Sequence, residues 1–144
     1  MLNQPQTVKD FILAGNATIT LESEKSGIHY TYKIKRTHED VNRWFVSLLT
    51  GPDNEGDFTY LGVLEGEGGT DFRLTKKSSL LETSAPVAGF KYMWAWINSN
   101  RMPPKMHIHH EGRCGRCNRK LTVPESIESG IGPECRQHIL HLAA

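Results

Sequence analysis

The chain has 144 residues, 38% apolar and 23% charged, with a net charge of +1. That is the composition of one soluble globular domain, or one domain with a small appendage, and no apolar run approaches the roughly 18–20 residues of a membrane span. An odd count of three cysteines, with no basic segment ahead of the brief apolar run Phe11–Ala14, argues against a secretory signal and a disulfide framework and predicts a reducing cytoplasm.

The first predicted element is a short helix capped by Thr7, with Asp10 three residues on as in a capping box and Gly15 as its stop. The period then changes to alternation. Residues 17–22 (ATITLE) and 28–36 (IHYTYKIKR) read as a hairpin, and residues 43–50 (RWFVSLLT) and 57–64 (DFTYLGVL) as a second, turning at GPDNEG. DFRLT (71–75) is a short fifth strand, which makes an antiparallel meander. Alternation sends Tyr30, Tyr32 and Ile34 into the core and leaves Lys33 and Lys35 on a solvated face. A longer helix follows, capped by Ser84 with Pro86 in its first turn. Val87, Phe90, Trp94 and Ile97 form the stripe that covers the sheet. It ends near Asn98–Asn100, and RMPPK cannot continue it. The expected organisation is α+β: a sheet domain over 1–100, a linker over 101–109, and a small zinc-binding module over 110–144.

That module carries the chemistry. Cys114-Gly-Arg-Cys117 has the tight spacing of a zinc knuckle, in which two thiolates turn toward one tetrahedral ion and Gly115 relieves the backbone. Cys135 follows after seventeen intervening residues. Gly132-Pro133 announces a helix there, so Cys135 falls in a first turn that stabilises a thiolate. Knuckle plus helix start predicts a treble-clef-like site holding one structural Zn2+. A segment so poor in apolar residues needs a metal where burial is insufficient. Two histidines compete for the fourth position: His138, one helical turn beyond Cys135, and His110, just ahead of the knuckle. Spacing alone favours His138. Arg113, Arg116, Arg119 and Lys120 surround the knuckle, either to offset the charge of three thiolates or to contact phosphates.

The words TYKI (31–34), WFVSLLTGPDN (44–54), DFTYLG (57–62), FRLTKKS (72–78) and above all HEGRCGRCNRKLTVPESIESGIGPEC (110–135) resemble a family of uncharacterised proteins encoded by phages, prophages and plasmids. The resemblance implies a protein of a mobile element in a bacterial cytoplasm, and it favours His110 as the fourth ligand. It implies no activity.

The tail is the basic part: residues 1–100 carry ten Lys/Arg against twelve Asp/Glu, residues 101–144 seven against four. This fits a nucleic acid or nucleoprotein partner, although ordinary surface composition produces differences of that size. The alternative is an inhibitor or adaptor that binds a host protein, such as a defence-system or polymerase component. Catalysis is not expected. His109-x-Glu111 with Cys135 faintly resembles a zinc deaminase, but Cys114 and Cys117 would then have no role. A three-cysteine, one-histidine set is normally closed.

Overall fold

Hydrogen bonds join the alternating segments in the order in which they occur along the chain. In the computed structural model, which describes residues 2–40, 42–52, 56–121, 124–132 and 135, the strands are β1 (Asn16–Ser23), β2 (His29–Arg36), β3 (Arg43–Leu49), β4 (Phe58–Glu65), β5 (Asp71–Arg73) and β6 (Met106–His110). They form one antiparallel sheet in the order β5-β4-β3-β2-β1-β6. The helices are α1 (Pro5–Ile12), α2 (Ala85–Asn98) and α3 (Pro124–Ser129). Among the described residues no helix is long and apolar enough to cross a membrane.

The sheet has six strands where the sequence predicts five, because Met106–His110, in the stretch expected as a linker, pairs with β1. Its period of two is real: Ile108 is fully buried opposite Leu21. Three histidines in five residues conceal the pattern. Helix α1 also differs from expectation at its start. Pro5 opens it, since its fixed φ suits a first helical position, and Thr7 lies inside. Gln4 holds the N-cap position without a side-chain bond. Asp10 accepts a hydrogen bond from Gln6 Nε2 at 2.8 Å instead of closing a capping box. Helix α2 follows expectation, with Ser84 at the N-cap position and Val87, Phe90, Trp94 and Ile97 buried.

Both α1 and α2 pack on one face of the sheet, over Ile19, Tyr32, Ile34, Trp44, Val46, Leu48 and Leu64. Phe90 sits between Tyr32 and Phe72, its ring tilted to both with centroids 5.2 and 4.8 Å away. Each such apolar side chain stabilises the fold by about 1.5–3 kcal/mol on burial. Two aromatic side chains of this core have their polar atoms paired: Tyr32 donates its hydroxyl proton to Pro86 O at 2.5 Å, and Trp94 Nε1 donates to Gly69 O at 2.8 Å. Of the two tyrosines expected in the core, Tyr32 is fully buried and Tyr30 packs at its margin.

The place of β6 in the core has a measurable consequence. Ile108→Ala is expected to destabilise the protein by about 2–5 kcal/mol in urea unfolding. A residue of a solvated linker would shift stability by less than about 0.5 kcal/mol.

Candidate metal centre

Strand β6 delivers the chain directly into the cysteine segment. After His110 the backbone turns at Gly112, and Cys114 N–H to Arg119 O (2.8 Å), Asn118 N–H to Cys114 O (2.9 Å) and Leu121 N–H to Gly112 O (2.8 Å) close a small hairpin. Asn118 takes the left-handed conformation at its tip, φ 65°, a conformation that asparagine tolerates better than most residues. The knuckle therefore does not use Gly115 to relieve its turn. Gly115 is needed for contact: a Cβ there would lie 2.6 Å from the Phe11 ring. Gly130, just after α3, meets the same ring at 2.6 Å and has a φ of +77° besides.

This packing gathers the three thiols. The sulfurs of Cys114, Cys117 and Cys135 all lie within 4.8 Å of one another, and none is in a disulfide. Cys114 and Cys135 are buried, while Cys117 faces solvent. Cys135 has helical backbone, as expected; Pro133 before it lies outside the described residues. Cys114 Sγ accepts the Arg116 N–H at 3.4 Å, and Cys135 Sγ accepts from Arg116 Nη1 at 3.4 Å. Burial raises the Cys114 thiol, but N–H groups of Gly132, Cys117 and Arg116 outweigh it, so its pKa falls below the ordinary value. Burial pushes Cys135 up to about 11, against the opposing hydrogen bond from Arg116. Three soft donors converging in this way can hold a metal ion, and thiolate is a donor that zinc, copper(I) and iron–sulfur centres accept.

The structure does not bring His110 to the sulfurs. Its Nδ1 accepts the Gly112 N–H at 2.9 Å and its Nε2–H donates to Ile127 O at 2.5 Å. Its ring leans on Phe11 with centroids 5.7 Å apart. Both nitrogens are thus engaged in bracing β6 against the knuckle and α3. His138, the rival fourth ligand, lies outside the described residues. His109 pairs with Glu22 at 3.3 Å. Glu111 lines a hollow of about 180 Å³ with Thr18, Thr20, Thr31, Leu49 and Phe58. Neither belongs to the group of three sulfurs.

The cations divide. Arg116 is turned inward onto Cys135. Arg113, Arg119 and Lys120 are exposed on the hairpin, with Arg113 Nη1 bonded to Asn118 O at 3.2 Å. Spacing alone cannot separate these roles, since all four cations lie within eight residues.

Metal must displace the thiol protons, so affinity is expected to rise with pH. Because the Cys135 proton is held up to about 11, the rise continues through neutral pH. It amounts to about tenfold per pH unit for each thiol still protonated, and competition with a chromophoric chelator between pH 6 and 8 measures it. A flat profile would mean that the thiols are not the donors.

Residues 105–140 match a family of unknown function, DUF6011. The match covers β6, the knuckle and Cys135. No curated protein and no solved structure matches the chain.

Proposed function

We propose that the chain is a non-catalytic, zinc-stabilised binding protein that engages nucleic acid, built on a treble-clef-like zinc site. The observation that carries the reading is the convergence of Cys114, Cys117 and Cys135 within 4.8 Å. Zinc–sulfur bonds of about 2.3 Å in a tetrahedral array set sulfurs about 3.8 Å apart, which fits that spread. Zinc would crosslink the knuckle to the helical turn at Cys135. His138 is the proposed fourth ligand, because its spacing from Cys135 suits tetrahedral geometry and His110 is already engaged.

Four protein ligands leave no open position for substrate or an activated water, which supports a structural role. Three thiolates and a neutral histidine leave the centre at −1, and Arg116 offsets that charge from within. Arg113, Arg119 and Lys120 point outward, where phosphates would meet them. Through the resemblance of its HEGRCGRC…GIGPEC segment, we place the protein in the bacterial cytoplasm as a product of a mobile element.

Cobalt substitution tests the ligand set. His110→Ala is expected to keep the visible absorption of a tetrahedral three-sulfur, one-nitrogen site, with reduced thermal stability. His138→Ala is expected to shift the spectrum and weaken cobalt binding by at least about tenfold. The opposite pattern would restore His110 as the ligand. A salt titration with single-stranded DNA, duplex DNA and RNA tests the partner. Affinity should fall steeply with salt, and Arg113→Ala with Lys120→Ala should flatten the slope by about 1–2. No binding to any of the three at low salt would move the partner to a host protein.

A further inference from the structure

The face of the sheet opposite the helices is not merely solvated. Lys33 and Lys35 of β2, Phe45 and Ser47 of β3, Tyr60 of β4 and Lys77 from the segment after β5 line a hollow of about 410 Å³. Strand register builds it: Lys35 faces Phe45, Lys33 faces Ser47, and Ser47 faces Tyr60.

Three features of this hollow go beyond what folding requires. The first is Phe45, which is 44% exposed in the middle of a central strand. That exposure forgoes nearly half of what full burial of a phenylalanine contributes. Phe45 meets Tyr60 edge-on, with centroids 5.9 Å apart and planes at 82°.

The second is a register shift between Val46 and Ser47, where Leu61 of β4 is passed over. Unbroken pairing from Val46–Gly62 would set Tyr60 opposite Leu48, on the core side, and turn Leu61 outward. The bulge buries Leu61 and brings Tyr60 to the open face beside Phe45. Bulges commonly re-aim a side chain in this way next to functional sites.

The third is charge. Among the described residues no carboxylate makes an ion pair with Lys33, Lys35 or Lys77. Lys33 Nζ lies 5.6 Å from the Phe58 ring centre. Lys77 is brought to the rim by a short relay: its N–H bonds to Thr75 Oγ1 at 3.4 Å, and that hydroxyl donates to the Tyr60 hydroxyl at 3.0 Å. Arg43 and Arg73 both reach Glu65, at 3.6 and 2.8 Å, and Asp71 of β5 stands opposite Glu65, so that group is balanced in charge. The positive charge about the aromatic floor is that of the three lysines. Aromatic rings and cations on one exposed surface are what an unpaired base and its flanking phosphates require. A purely apolar protein ligand would have to bury three unpaired ammonium groups.

We propose that this open face binds single-stranded nucleic acid, one base stacking at Phe45 and Tyr60 while Lys33, Lys35 and Lys77 hold the neighbouring phosphates. The proposal rests on the nucleic-acid reading above and adds base contact on the sheet to the phosphate contact proposed for the cysteine module. Duplex binds more weakly here, because its bases are already stacked.

The test uses the full-length, zinc-loaded protein with fluorescent oligo-dT and oligo-U, a DNA duplex, and heparin as a polyanion without bases. Phe45→Ala and Phe45→Leu are expected to lose about tenfold or more in affinity for the single strands. Their salt slope and heparin binding should stay unchanged. Substituting Lys33, Lys35 and Lys77 together by Ala should reduce the slope by about 2, at about 0.7 per single-strand phosphate contact. Zinc stoichiometry and thermal melting establish that each variant is folded. Single-strand binding that survives both Phe45 variants but fails in the Arg113→Ala, Lys120→Ala protein would overturn this proposal and leave the cysteine-module reading standing. Wild-type protein that binds neither oligonucleotide at low salt would overturn both.

Discussion

Phe11 is the residue on which the two halves of the chain close. Its side chain, 1% exposed, leaves α1 and is met from the far side by Gly115 of the knuckle and Gly130 after α3. Both approaches depend on the absence of a Cβ, which would come within 2.6 Å of the ring. Cys114, Leu121, Ile131 and Cys135 consequently belong to the same apolar cluster as α1 and the sheet. The thiols are presented by the main core, not by a tail that folds alone. Just past Phe11, α1 is fastened to the sheet as well: Leu13 O, at the C-cap, accepts from both Trp44 Nε1 and an Arg36 guanidinium nitrogen, each at 3.1 Å. A metal that fixes the cysteines thus bears on Phe11, and through α1 on β2 and β3.

Most of the fold was legible because it rests on periods that composition does not obscure. Trp44, Val46 and Leu48 alternate cleanly, and the α2 stripe recurs at helical spacing. What escaped has specific physical reasons. In β6 the buried Ile108 is flanked by histidines, which read as ligands before they read as strand. The roles of Gly115 and His110 depend on Phe11, about a hundred residues away in sequence, and no local pattern reports that contact. The open face is the clearest case. Lys33 and Lys35 were visible as an outward pair, but the aromatic floor beside them comes from β3 and β4, through a bulge that strict alternation cannot anticipate. The three cysteines were legible because metal spacing is itself a local pattern.

Charge is distributed to match. Overall the chain is nearly neutral, at +1, so any attraction for an anion must come from local arrangement. Inside the cysteine module, Arg116 is committed to Cys135 and contributes little outward field. On the sheet, the lysines of β2 lie beside aromatic rings instead of carboxylates. Arg36 is a further cation in use structurally, stacked over Trp44 at 5.1 Å. Burial, then the proximity of Arg116, holds its pKa below the ordinary value. The net charge thus conceals a difference between cations held in structural contacts, Arg116 and Arg36, and lysines of β2 that pair with no carboxylate among the described residues.

The edges of the sheet bear on how the proposed partner would reach it. Unpaired strand edges invite another chain to add a strand, and the two edges of this sheet are covered to different extents. β5 spans only Asp71–Arg73. On the opposite edge, Leu2 bridges to Ile108, its N–H bonding to Ile108 O at 2.7 Å. Beyond the end of β6, Asn16 N–H bonds to Gly115 O at 2.7 Å. The cysteine module therefore extends hydrogen bonding past the last strand and caps that corner. The short β5 pairs only with Val63–Glu65 of β4, so among the described residues Phe58–Gly62 have no strand partner on that side; the ligand proposed for the open face would instead be met through side chains. Under that proposal, specificity would rest on Phe45, Tyr60 and the lysines about them.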